Sequence, residues 1–112
     1  MGGVLPLVAD RIDLFRAVIA RDRTSGGAAT RELFSGLWYD LAGTPFPCQV
    51  PALVAAFGDS KVLYGSDFRF TPEPALAAQI SAVLADAGSG GVGWKELTYR
   101  NTHRLFPRLA AR

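Results

Sequence analysis

Two carboxylates stand out by where they fall. Asp40 follows Leu37-Trp-Tyr, and Asp67 follows Val62-Leu-Tyr-Gly-Ser. Each run is short, apolar and aromatic, so each reads as a strand with the acid at its carboxyl end. α/β barrels and open α/β sheets gather their chemistry at that edge. The alternative role for either acid is to cap the following loop or helix by accepting from backbone N–H groups.

The other residues that could do chemistry have simpler readings. Gly88-Ser-Gly-Gly-Val-Gly93 spells G-x-G-x-x-G, but a dinucleotide fingerprint follows a strand and has an acid about 20 residues on. Here it follows an amphipathic helix, and reads as a connection. Arg100, Arg104, Arg108 and Arg112 recur every four residues. Pro107 breaks the helix that would align them on a phosphate, so they read as a solvated face. His103 has no second His or Cys near it in sequence and reads as a surface or capping residue. Cys48 lies between two prolines with no paired base, which argues against a catalytic thiolate. As the lone cysteine of the chain it excludes an internal disulfide and any Cys-based zinc site, and it suits a reducing compartment.

The elements that must position the two acids follow from periodicity. Val8, Ile12, Phe15 and Ile19 mark one face of a helix expected over 7–22. Thr24-Ser-Gly-Gly reads as its stop. Leu37–Ala42 is expected as a strand, 43–47 as a loop, and Val50–Phe57 as a short helix ended by Gly58. Lys61–Asp67 is the clearest strand. Leu76, Ile80, Val83 and Leu84 keep helical spacing to Ala87. Trp94, Leu97, Asn101 and Leu105 share a face of the last helix, which Pro107 ends. Strands separated by a helix of this length predict a parallel pair with both acids at one edge.

Composition bounds the rest. The 112 residues are 49% hydrophobic and 20% charged, which fits a core-forming chain rather than a disordered one. A net charge of +2 is too small an excess to argue for nucleic acid. No apolar run approaches a membrane span, and the first residues lack the basic start of a signal peptide, so a cytoplasmic protein is expected. Two strands cannot bury the apolar faces of four helices. The chain reads as part of something larger.

Four segments carry a resemblance to a known family. Tyr64-Gly-Ser-Asp67-Phe-Arg-Phe70 resembles the Gly-Ser-Asp-aromatic-Pro-Phe segment of the amidohydrolase-related metal-dependent hydrolases, in the branch of aminocarboxymuconate-semialdehyde decarboxylase and the salicylate- and resorcylate-type decarboxylases. Gly2-Gly-Val-Leu-Pro6 looks like the stretch after the sixth barrel strand. Trp38-Tyr-Asp40-Leu-Ala looks like the seventh strand. Asn101-Thr-His-Arg-Leu-Phe106 looks like the terminal helix. The segments come in the family's order and span nearly the whole chain.

The resemblance implies a carboxyl-terminal fragment of a (β/α)₈ barrel over residues 1–112, roughly from helix six to the terminal helix. A complete barrel takes roughly 250 residues. It implies a metal-dependent hydrolase or a non-oxidative decarboxylase acting on small carboxylated acids, with zinc or another divalent ion as cofactor. By the same resemblance Asp67 is the metal-binding, catalytic aspartate and Phe70 an aromatic against the substrate. The family's histidines on strands one and five have no counterpart here, its sixth-strand histidine would fall just before Met1, and Arg69 stands where a proline is usual. The chain is therefore expected to be inactive alone. Its expected partners are further copies or a complementing barrel fragment, with no nucleic acid and no membrane. The competing reading is a non-catalytic α/β assembly or interaction module derived from such a barrel.

Overall fold

The computed structural model describes residues 3–19, 29–86, 88 and 91–109. Within them run α1 (Leu5–Ile19), α2 (Thr30–Ser35), β1 (Tyr39–Asp40), a broken π-type turn (Pro45–Gln49), α3 (Val50–Phe57), β2 (Val62–Leu63), α4 (Glu73–Ala85), α5 (Trp94–Leu105) and a 3₁₀ turn (Pro107–Leu109). The expected stop at Thr24-Ser-Gly-Gly lies outside the described residues.

β1 and β2 pair in parallel, with Tyr39 opposite Val62 and Asp40 opposite Leu63. α3 lies within the crossover that a parallel pair requires. The ladder is shorter than the apolar runs around it. Past Asp40, the Ala42 N–H turns to Asp40 Oδ1 at 3.0 Å. Before β1, the Leu37 N–H goes back to Phe34 O, closing the end of α2.

α2 has no side-chain cap of its own. Asp13, on α1, provides one from a distance. Both of its carboxylate oxygens accept from the Thr30 N–H at 3.0 Å, and Oδ1 also accepts from the Thr30 hydroxyl. At the other end, Lys61 Nζ donates to Ser35 O and Gly36 O, each at 3.1 Å. These contacts satisfy backbone groups that a six-residue helix leaves open.

The core gathers Tyr39, Leu41, Val50, Leu53, Val62, Val83 and Trp94. Tyr39 stacks on Phe57 at 5.9 Å, and its hydroxyl donates to Phe34 O. Two helices are turned relative to the faces that periodicity gives. On α4, Gln79 and Val83 are buried, while Ile80 and Leu84 are exposed. On α1, Ala9 is buried and Phe15 and Ile19 are exposed. In both cases a polar residue decides the rotation. Gln79 must reach backbone carbonyls at the sheet, and Asp13 must reach Thr30.

Candidate functional site

The carboxyl ends of the two strands are fastened by one side chain. Gln79, 3% exposed, donates through Nε2 to Leu41 O at 2.6 Å and to Gly65 O at 3.0 Å. Leu41 follows β1 and Gly65 follows β2, so the amide bridges the chain just beyond each strand. Its Oε1 is buried without a partner among the described residues. Gly65 passes close to Asp40, and a Cβ at 65 would lie 2.9 Å from the Asp40 Cβ.

Asp67 follows this fastened edge. Its backbone is left-handed, with φ 53, a region that Asp and Asn enter more readily than most side chains. The bend is held by its carbonyl, which accepts from the Phe70 N–H at 3.1 Å and the Thr71 N–H at 2.9 Å. Its carboxylate is exposed and makes no hydrogen bond or ion pair among the described residues. Burial would impose a desolvation cost on an unpaired anion, and the loop avoids it by turning Asp67 outward.

Arg69 is also left-handed, with φ 86. Proline, fixed near −65°, cannot take that course. The loop therefore departs in conformation, as well as in residue type, from a Gly-Ser-Asp-aromatic-Pro-Phe segment. Phe70 is 85% exposed and Phe68 is 70% exposed.

Several of the remaining candidates have structural partners, and Arg112 lies outside the described residues. Arg100 pairs with Glu96 at 2.6 Å, and Arg104 donates to Ser60 O at 3.2 Å. His103 Nδ1 lies 3.0 Å from Tyr99 O, with the two rings 4.2 Å apart. Cys48 is free and exposed. Gly88 follows α4, and Gly93 precedes the first turn of α5, so the glycine-rich connection joins two helices.

Two polar residues prove more important than their types suggest. Asn101 Nδ2 donates to Asp59 O at 2.8 Å and Val62 O at 2.9 Å, tying α5 to β2. Its position in the apolar stripe of Trp94, Leu97 and Leu105 was a usable signal. Gln79 gave none, since glutamine is an ordinary residue on an Ala-rich helix.

Among the described residues, no group of three or more His, Cys, Asp or Glu side chains could hold a metal. Asp67 alone does not fit a catalytic zinc, which takes about three protein ligands. No helix among them is long and apolar enough to cross a membrane. Comparison with known proteins finds no matching family model, no matching curated protein and no matching solved structure.

Proposed function

We propose that this chain is the carboxyl-terminal part of a (β/α)₈ barrel of the amidohydrolase-related kind. The complete enzyme would be a metal-dependent hydrolase or a non-oxidative decarboxylase of small carboxylated acids. Asp67 would be one protein ligand for zinc or another divalent ion, with the remaining donors supplied by segments outside the described residues. Phe70 would lie against the substrate. The cytoplasm is the compartment that suits an exposed free Cys48.

The observation that carries this reading is the state of Asp67. It follows the carboxyl end of a parallel strand, in a backbone conformation that most residues avoid, with an exposed carboxylate that has no partner among the described residues. Strain held at such an edge is characteristic of functional positions. The chain's own contribution is placement: Gln79 fastens the edge, and the 67–71 turn holds Asp67 outward.

The DNA upstream of the Met1 codon is the direct test. An in-frame histidine immediately before Met1, with a His-x-His pair further upstream, supports the reading. The longer chain should then bind about one equivalent of zinc, and Asp67→Asn should lose both metal and turnover. An in-frame stop codon just upstream, or full metal content in Asp67→Asn, overturns it.

A non-catalytic assembly module is the second reading. It is favoured by the large apolar side chains exposed along α1 and between α4 and α5.

A further inference from the structure

We propose that Arg69 selects the substrate by a carboxylate. Its guanidinium holds that group in a forked pair of hydrogen bonds, and the flat body of the acid lies against Phe70. Calling that acid a substrate rests on the enzyme reading above. The site itself rests on the 67–71 turn.

The Arg69 side chain does nothing for the fold. The turn is closed by backbone alone, with Asp67 O accepting from the Phe70 and Thr71 N–H groups. Arg69 is exposed and makes no hydrogen bond, ion pair or ring contact among the described residues. Asp67, of opposite charge and two residues away, does not pair with it. Most other described arginines are committed. Arg16 pairs with Asp13, Arg31 with Asp10 and Arg100 with Glu96. Arg104 donates to Ser60 O, and Arg11 lies over the Phe15 ring. Arg108 has no such partner, but its backbone is not left-handed.

The backbone at Arg69 is costly. Gly43, Gly58, Gly88 and Gly91 take positive φ without strain, as glycine can. Among the described residues, the two others with positive φ are Asp67 and Arg69, both in this turn. At φ 86 a long side chain stands where glycine would be relaxed, and no contact within the chain compensates. Strain kept without a structural return is the mark of a side chain held for a ligand.

The residues around it specify the ligand. A guanidinium stays charged at any working pH, and its planar fork of donors matches the two oxygens of a carboxylate. Phe70 is 85% exposed, Phe68 70% and Tyr64 47%. Rings beside a fork suit an acid with a flat, unsaturated body better than a bare anion. Two residues of chain span at most about 7 Å, so one small acid reaches Asp67 and Arg69 together. The turn leaves a fixed base, since Gln79 ties Leu41 O and Gly65 O beneath it. The carboxylate on Arg69 is then one set apart from the group that reacts beside Asp67.

The test is a titration of the 112-residue chain with benzoate, without added metal, followed by nuclear magnetic resonance on the Arg69 Nε–H and the backbone amides of 68–71. These signals should move to saturation. Benzamide, which keeps the ring and loses the charge, should leave them in place, and acetate and inorganic phosphate should bind more weakly than benzoate. Arg69→Gln should weaken benzoate by about tenfold, the scale of losing a charge-assisted hydrogen bond. Asp67→Asn removes a neighbouring negative charge and should tighten it. Arg69→Gly separates ligand binding from a structural role: it should give the more stable chain and still lose benzoate. Benzoate binding that persists in Arg69→Gly overturns the proposal. So do phosphate binding as tight as benzoate, and shifts spread evenly over all the arginines. Zinc uptake by the longer chain is a separate readout. Benzoate held through Arg69 in a chain whose longer form takes no zinc would keep the carboxylate site and remove the enzyme reading. Zinc uptake with no benzoate effect at Arg69 would do the reverse.

Discussion

Gly65 lies so close to Asp40 that a Cβ at position 65 would fall 2.9 Å from the Asp40 Cβ. The approach is what lets the chain leave β2 alongside the end of β1. The obstacle is the root of the Asp40 side chain rather than its flexible end, so rotation of the carboxylate gives no relief. Gly65→Ala should destabilise the fold by about 1–3 kcal/mol, the usual scale of overpacking. Urea unfolding measures it. An unchanged midpoint would show that the strand ends separate without cost.

Asn101 holds α5 to the sheet through two donations from a single nitrogen. Asn101→Leu keeps the approximate volume but leaves Asp59 O and Val62 O without that partner. The loss should be about 1–3 kcal/mol for each carbonyl that water cannot reach. Thermal melting checks it. Asn101→Asp should be worse than Asn101→Leu at neutral pH, because it sets an anion against two carbonyl oxygens. If the two variants melt together, the side chain acts only by filling space.

The parallel pair was legible because apolar runs ending in small or polar residues flank a short Ala-rich helix. The span of α3, its end at Gly58 and the break at Pro107 were legible for the same local reasons. What was not legible depends on partners distant in sequence. α2 is capped by Asp13, seventeen residues before Thr30, and no local pattern reveals it. The rotations of α1 and α4 follow from Asp13 and Gln79, polar residues that periodicity assigns to solvent. Asp67 could be singled out by position, but its left-handed backbone and that of Arg69 arise from the 67–71 turn as a whole.

The cap on α2 predicts an acid-sensitive contact. Hydrogen bonds from the Thr30 hydroxyl and N–H hold the Asp13 carboxyl below its ordinary 3.8, aided by the Arg16 charge against a smaller opposing effect of burial. A carboxyl with a lowered folded pKa binds fewer protons folded than unfolded between the two values. Its contribution is therefore complete above the ordinary aspartate range and is lost as the pH falls below 3.8 through the folded pKa. Amide exchange at Thr30 should accelerate across that window, relative to its intrinsic rate, before the core opens. Asp13→Asn should remove the acid step while keeping an acceptor for the Thr30 N–H. If the wild type and Asp13→Asn lose α2 at the same pH, another group controls it.

The loop bearing Asp67 combines two left-handed residues with different tolerances. Asn enters this region at least as readily as Asp, and the hydrogen bonds of the turn use the Asp67 backbone carbonyl rather than its carboxylate. Asp67→Asn should therefore leave stability within about 1 kcal/mol, as for substitutions away from core features. At Arg69, with φ 86, a long side chain holds a conformation suited to glycine. Arg69→Gly should stabilise the fold by about 1 kcal/mol through relief of that strain. Arg69→Pro should destabilise it, because the ring fixes φ near −65° and would break the 67–71 turn. Chemical unfolding of the three variants separates them. The order Gly above Arg above Pro at position 69, with Asn matching Asp at position 67, is the expected result. Unfolding caused by Asp67→Asn alone would mean that the carboxylate serves the fold, and would remove Asp67 as a candidate ligand.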